Sequence, residues 1–312
     1  MGSSRLLLKI SGGQRIEDGR YRYMKRIKAS VPQGLRFSGL KVVVDCANGA
    51  SYKTAPEVLW ELGAEVIPVG VSPNGTNINQ ECGSTDTRLA AETVVAHGAD
   101  LGICLDGDAD RVMVIDENGK VADGDQIMAL LARRWSVAGR LKGGALVATV
   151  MSNLGLEHYL ESLDLRLERT AVGDRYVVER MRQGGFNLGG EQSGHIVMTD
   201  HATTGDGLLA GLQFMAAMVE TNKPASALAT SFEVVPQRLE NVRFTAGADP
   251  LSAPDVVKAI EDAEARVVGR GRVLIRKSGT EPLIRVMAEC DDEALLGDVI
   301  DQIAGEIRAQ VS

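Results

Sequence analysis

Short apolar runs alternate with amphipathic stretches along the chain from Lys41 onward. Lys41–Cys46 reads as a buried strand, Tyr52–Leu62 as a helix stopped by Gly63, and Ala64–Val69 as the next strand. The pattern then predicts a helix over Asp86–His97 stopped by Gly98, a strand over Asp100–Leu105 and a sharp turn at Asp106–Arg111. A strand over Val112–Asp116 and a helix from Gly124 to Trp135 follow. After Ser136–Gly144, a glycine-rich basic stretch that reads as a linker, a similar series returns. It predicts strand Ala145–Val150, helix Leu154–Leu163, strand Arg166–Ala171, helix Arg175–Arg182, a turn at Gly189–Gly194, strand His195–Met198 and a helix from Asp206 to Val219. Strands alternating with helices imply mostly parallel sheets with both faces covered.

Beyond Pro236 the order changes. Strand Arg238–Phe244, helix Pro254–Val268, two strands near Val273–Arg276 and Leu283–Glu289, and helix Leu295–Arg308 predict a small α+β unit. Upstream, Arg15–Lys28 predicts a helix with Tyr21, Met24 and Ile27 at three-residue steps. The expected fold class is therefore α/β: two consecutive α/β domains with mixed, mostly parallel sheets, then a small α+β C-terminal domain. The segments are 38–138, 139–236 and 237–312, with 1–37 as an N-terminal edge. Two acid-capped helix starts, Asp123-Gly124-Asp125 and Gly205-Asp206-Gly207, echo one another, which either a duplicated unit or chance explains.

Composition narrows the classes. A net charge of −8, from 34 basic against 42 acidic side chains, disfavours nucleic acid as a general partner. No run approaches the ~20 apolar residues of a membrane span, so no membrane partner and a cytoplasmic location are expected. Cys46, Cys82, Cys104 and Cys290 lie far apart and read as buried reduced thiols. The four histidines form no H-x-x-x-H pair, which argues against zinc.

Three stretches carry chemistry. In Asp106-Gly107-Asp108-Ala109-Asp110-Arg111, three carboxylates at alternate positions follow an apolar strand. A tight turn brings them to one point, which suits a hard cation such as magnesium. The spacing also matches an EF-hand loop, with Glu117 at its twelfth position, but Arg111 stands where that loop needs glycine and strands flank the turn. Arg111 beside such a cluster suits a bound phosphoryl group, or else a simple ion pair with Asp108 or Asp110. In Gly189-Gly190-Glu191-Gln192-Ser193-Gly194-His195, Glu191 and Ser193 project to one side and suit paired sugar hydroxyls, and His195 suits proton transfer. The plain alternative is a hairpin with a structural histidine. In Arg276-Lys277-Ser278-Gly279-Thr280-Glu281-Pro282 with Arg285, hydroxyls and backbone N–H groups bracketed by cations suit a phosphate, or form a polar hairpin. Ala171-Val172-Gly173-Asp174-Arg175 turns from strand to helix, facing a ligand or capping the helix through Asp174.

In this order and spacing the chain resembles the α-D-phosphohexomutase superfamily, four-domain enzymes with one loop per domain facing a central cleft. The three stretches match its metal, sugar and phosphate loops. Val44–Ala50, Thr76–Asn79, Cys82–Thr85, Val147–Gly155 and Gln192 are similar to its hexosamine-phosphate branch. The resemblance implies Mg2+ on Asp106, Asp108 and Asp110, with Arg111 and His195 as catalytic residues. It implies sugar contacts from Glu191 and Ser193 and a phosphate clamp of Arg276, Ser278, Gly279, Thr280 and Arg285; the turn at Gly173 and Asp174 stays a candidate substrate contact on its residues alone. The implied reaction is an intramolecular phosphotransfer that interconverts glucosamine 6-phosphate and glucosamine 1-phosphate, with glucosamine 1,6-bisphosphate as intermediate or primer. Phosphomannomutase or phosphoglucomutase specificity, a hydrolase, and a non-catalytic sugar-phosphate binder are the alternatives.

One departure stands out. The superfamily's phosphorylated serine lies in a Thr-Ala-Ser-His-Asn-Pro-type loop that these 312 residues do not contain. The resemblance therefore implies a missing first domain and a chain inactive by itself. An apolar face near 21–37 would then be uncovered, which favours a homo-oligomer.

Overall fold

A computed structural model describes residues 18–245, 249–278 and 281–310. Among them the chain forms helix α1 (Gly19–Lys28), strand β1 (Lys41–Asp45), helix α2 (Thr54–Glu61), strand β2 (Glu65–Val69), helix α3 (Arg88–His97), and strands β3 (Leu101–Leu105), β4 (Val112–Asp116) and β5 (Val121–Ala122). Helix α4 (Gly124–Val137) leads to β6 (Ala145–Thr149), α5 (Leu154–Glu161), β7 (Arg166–Thr170), α6 (Asp174–Gly184), β8 (Leu188–Gly190) and β9 (Ile196–Met198). Helices α7 (Gly207–Thr221) and α8 (Ala225–Leu228) follow, then β10 (Gln237–Arg243), α9 (Pro254–Val267), β11 (Gly271–Lys277), β12 (Leu283–Cys290) and α10 (Glu293–Ala309).

The first sheet runs β2-β1-β3-β4-β5 and the second β7-β6-β8-β9. In both, the first three strands are parallel and the fourth returns antiparallel. The repeated strand order gives the echo of helix starts a physical basis. Mixed sheets covered by helices match the expected α/β class. The third sheet, β10-β12-β11, is wholly antiparallel. Gly189 and Gly190, expected in a turn, instead end β8, and the turn begins at Glu191.

Strand alternation assigns each face. Val42, Val44, Leu101 and Ile103 enter a core shared with Leu146, Ala148, Leu188 and Ile196 of the second sheet. Val43, Cys104 and Ile115 face α3, while Ala145, Val147 and Val197 face α6. The shared core is filled by α4 and α7, most of whose residues are buried. Helix α4 lies between the sheets, against β4 and β5 on one side and β6 and β8 on the other. Helix α7 follows the second sheet in sequence yet packs on β3 and β4 of the first. Gly211 permits this, because a Cβ there would press on the Ile103 side chain.

The C-terminal unit has its own core, built from Val242, Ile284, Val286, Val299, Ile300 and Ile303 among others. At the other end, Met24, Ile27, Val31 and Phe37 are buried against the body, and Tyr21 is exposed. The uncovered apolar face expected at 21–37 is therefore largely absent, since α1 packs on α2. All four cysteines are free and buried. No helix of the described residues is long and apolar enough to cross a membrane.

Candidate active site

The acidic loop joins β3 to β4 and turns on Ala109, whose φ is 63°. Asp106, Asp108 and Asp110 can each offer one oxygen within 4.8 Å of the others. Asp106 is buried, Asp110 half-buried and Asp108 exposed. Burial pushes the Asp106 carboxyl up to about 6, and repulsion from Asp110 and Asp108 adds to the rise. The backbone N–H of Arg111 donates to Asp106 Oδ1 at 3.1 Å. Arg111 Nε lies 4.0 Å from Asp106 Oδ2 and 3.8 Å from Asp110 Oδ1, too far for a hydrogen bond to either. The guanidinium thus hangs over the acids without being consumed by them.

The glycine-flanked loop joins β8 to β9, the same place in the second sheet that the acidic loop holds in the first. Its hairpin closes through Glu191 N–H to His195 O and Gly194 N–H to Glu191 O, both 2.9 Å. The two loops touch directly. Val112 N–H donates to Gly194 O at 3.0 Å, and Arg111 and His195 form an antiparallel bridge. Gly194 is needed here: its φ is 91°, and a Cβ would overlap the Val112 carbonyl.

Each closing helix docks its N-terminus on one loop. Gly124 N–H donates to Gln192 O at 3.0 Å, and Gly207 N–H donates to Ala109 O at 2.9 Å. Asp123 caps α4 by accepting from Asp125 and Gln126 N–H, and Asp206 caps α7 by accepting from Leu209 N–H. Such caps contribute about 1 kcal/mol each.

Other expected residues fall as follows. Gly173 N–H donates to Glu191 Oε1 at 3.1 Å, so the strand–helix turn and the sugar-type loop meet. Gly173 itself is the α6 N-cap, with φ 129°; Asp174 is exposed and opens the helix, its Oδ1 accepting from Arg175 N–H at 2.7 Å. Ser193 is exposed and Glu191 half-buried. Arg276 and Arg285 are opposite partners across β11 and β12, and the Nε of each is buried without a partner. Burial, with Arg285 adding repulsion, lowers the Arg276 pKa. Two facing guanidiniums favour an anion between them. Ser278 N–H donates to Leu283 O at 2.7 Å; Gly279 and Thr280 lie outside the described residues.

The structure places His195, the expected proton-transfer residue, at the joint of the two loops. The histidine is 3% exposed. Its Nδ1 lies 3.1 Å from Asp110 Oδ2, and its Nε2 accepts from Gly205 N–H at 3.1 Å. Both ring nitrogens are committed.

Sequence patterns missed one wall. A cleft of about 380 Å3 adjoins Asp108 and Asp110 and is lined by Arg20, Tyr23, Ser51 and Thr54. Tyr23 Oη donates to Asp206 Oδ1 at 3.1 Å, tying α1 to the start of α7. Nothing local to α1 announces this, because the contact spans the whole body.

The C-terminal sheet joins the body through Ser152, Asn153 and Leu154. Asn153 Nδ2 donates to Glu289 Oε1 at 2.9 Å and to Val235 O at 3.0 Å, and Leu154 N–H donates to Glu289 Oε1 at 3.2 Å. Glu289 is fully buried and ion-paired with Arg272, whose Nη2 donates to Ser152 O. Asn153 N–H in turn donates to Asp125 Oδ2 at 2.8 Å. Burial, with Asp123 nearby, pushes the Asp125 carboxyl up to about 7.

Two α/β units joined at equivalent loops, followed by an antiparallel unit with paired arginines, define a phosphohexomutase-type architecture. The chain belongs to the phosphoglucomutase/phosphomannomutase family: alpha/beta/alpha domain II matches residues 21–119, alpha/beta/alpha domain III residues 123–235, and the C-terminal domain residues 239–306. It is 70% identical over 299 residues to a phosphoglucosamine mutase of Cereibacter sphaeroides, covering 96% of this chain and 67% of that one. It is 67% identical over 300 residues to the phosphoglucosamine mutase of Dinoroseobacter shibae, with the same coverage. The chain thus spans about two thirds of the length of these relatives. The fold is similar to that of Aspergillus fumigatus N-acetylphosphoglucosamine mutase in complex with GlcNAc-6P and magnesium, with a TM-score of 0.75 at 22% identity over 96% of this chain and 68% of that one.

Proposed function

We propose that this chain supplies the metal, sugar and phosphate sites of a phosphoglucosamine mutase acting on hexosamine phosphates. The joint between loops 106–111 and 190–195 carries the reading, because it puts cation ligands, a spare arginine and sugar-type partners in one rigid cluster. Asp106, Asp108 and Asp110 would hold Mg2+; three converging carboxylates, one of them raised toward neutrality, fit a divalent cation. Bound there, the ion offsets the charge of a phosphoryl group in transit.

Arg111 reaches the same phosphoryl oxygens from the open side. Glu191 and Ser193 orient two sugar hydroxyls, beside the turn of Gly173 and Asp174. Arg276, Ser278, Gly279, Thr280 and Arg285 clamp the phosphate that is not being transferred. A fixed second phosphate site serves both substrate orientations. In the reaction, a serine–phosphoryl bond breaks as a bond to sugar O1 or O6 forms. Glucosamine 1,6-bisphosphate then reorients, and its other phosphoryl group passes to the serine.

No serine loop of that type occurs in these 312 residues. The chain alone is therefore expected to bind Mg2+ and glucosamine 6-phosphate without turnover. Phosphorus NMR with glucosamine 1,6-bisphosphate as primer, with and without a separately expressed serine-bearing domain, tests this. Turnover restored only by that domain supports the reading. Robust turnover by the chain alone overturns the need for a separate serine, and failure to bind either ligand overturns the assignment.

A further inference from the structure

We infer that Asn241 on β10 is a further contact for the phosphate, standing in one row with Arg276 and Arg285. Strand register places it there. Arg285, on the middle strand β12, is opposed by Arg276 of β11 on one side and by Asn241 of β10 on the other. Alternation along the strands fixes the face. Val242, Ile275, Ile284 and Val286 pack into the C-terminal core, so their chain neighbours Asn241, Arg276 and Arg285 stand on the opposite face of the sheet. Glu240 agrees, since it shares the core side and pairs with Arg308 of α10. Opposed residues on neighbouring strands stand about 5 Å apart, so a group seated over Arg285 has Arg276 on one flank and Asn241 on the other.

The row leaves its polar groups to a ligand. Neither guanidinium has an ion pair among the described residues, and the Nε of each is buried without a partner. Asn241 is exposed, and its amide makes no hydrogen bond among the described residues. The adjoining row of Leu239, Met287 and Leu274 is apolar and offers the amide no partner.

An amide suits this place better than a charge of either sign. A phosphate monoester presents three terminal oxygens as acceptors. The two facing guanidiniums already repel, which adds to burial in lowering the Arg276 pKa. A third cation in the row would add to that repulsion, and a carboxylate would pair with Arg285 and compete with the ligand. The Asn241 amide donates two N–H groups and carries no charge, so it serves an anion without disturbing the arginines. The inference rests on the reading of Arg276 and Arg285 as the phosphate clamp. It adds β10 to a clamp otherwise confined to β11, β12 and the turn between them.

Calorimetric titration of the full chain with inorganic phosphate and with glucosamine 6-phosphate tests it. Asn241→Ala should weaken both ligands by the same factor, roughly tenfold, because the lost contact is to phosphate and not to sugar. Asn241→Asp keeps the shape but sets a carboxylate against the anion, and should weaken both by roughly a hundredfold or more. Both variants should melt with the parent, since an exposed side chain outside the core is changed. Unchanged affinity of Asn241→Ala beside a loss in Arg285→Ala overturns this inference and leaves the clamp standing. Unchanged affinity in both variants, or a parent that binds neither ligand, removes the clamp reading and this inference with it. A loss confined to glucosamine 6-phosphate also overturns it, because the amide then meets the sugar. If the variants melt early, heteronuclear NMR of the Asn241 side-chain amide in the parent decides. A shift on adding inorganic phosphate supports the contact, and a resonance that stays in place overturns it.

Discussion

The two α/β units and the C-terminal unit are attached by different physics. The first pair share one apolar core, exchange helix contacts and meet at two backbone-bonded loops. The C-terminal unit keeps a separate core and joins the body through a buried polar hub at Asn153, Glu289 and Arg272. Apolar burial is directionless and tolerates small shifts, whereas a hydrogen-bonded hub holds one geometry or fails. The proposed cation and sugar sites thus lie on the part built for constancy. The proposed phosphate site lies on a piece whose attachment depends on a few polar contacts.

The largest expected effect attacks the rigid joint. Gly194→Val places a branched side chain at φ 91° against the Val112 carbonyl. It should cost about 4 kcal/mol, from backbone strain and overpacking together. Hydrogen exchange should show protection lost across β4, β8 and β9 while β10–β12 keep theirs; uniform loss breaks the contrast.

Glu289→Ala attacks the other attachment. It takes one of two acceptors from the Asn153 amide and leaves Leu154 N–H without its acceptor and Arg272 without its counter-charge. A cost of about 3 kcal/mol is expected. Calorimetry should resolve an early transition for the C-terminal unit, and a single cooperative transition argues against separate attachment.

The hub also titrates. Asp125 has its pKa raised to about 7 in the folded chain, against roughly 4 for an unfolded aspartate. The folded state holds the extra proton across that window, so stability is lost as pH rises through it. Asp125→Asn removes the titration while Asn153 N–H keeps an oxygen to donate to. The variant's advantage in urea unfolding should grow by about 2 kcal/mol between pH 5 and pH 8. A flat difference means that burial of Asp125 carries no charge penalty.

The smallest effect should leave both attachments intact. Arg285→Ala removes one of two facing guanidiniums, easing the repulsion that adds to burial in lowering the Arg276 pKa. Binding of glucosamine 6-phosphate by calorimetry should weaken about tenfold, without a drop in melting temperature. Unchanged affinity removes the paired arginines from the phosphate site.

Much of this was legible in the sequence because it is local. Continuous apolar runs such as Lys41–Asp45 and Leu101–Leu105 and stops such as Gly98 mark elements directly. The acidic loop was legible because its three carboxylates lie within five residues. The crossing of α7 was not, since a uniformly apolar helix does not say which sheet it covers. The ring partners of His195 are Gly205 and Asp110, ten residues downstream and eighty-five upstream in sequence. The role of Glu289 was hidden because an acid in an apolar strand reads as edge-facing until Arg272 and Asn153 are seen beside it.

The crossing of α7 has a consequence for how the gene can be cut. A break between Val137 and Ala145 leaves the upstream half without the helix that covers β3 and β4. That same helix, in the downstream half, is left with bare leucines, methionines and a phenylalanine. Neither half is a module that recombination can move into another protein, and each half should aggregate unless made together with the other. A break near Pro236 instead parts two pieces that each keep an apolar interior, so the C-terminal unit is the part that evolution, or an engineer, can exchange.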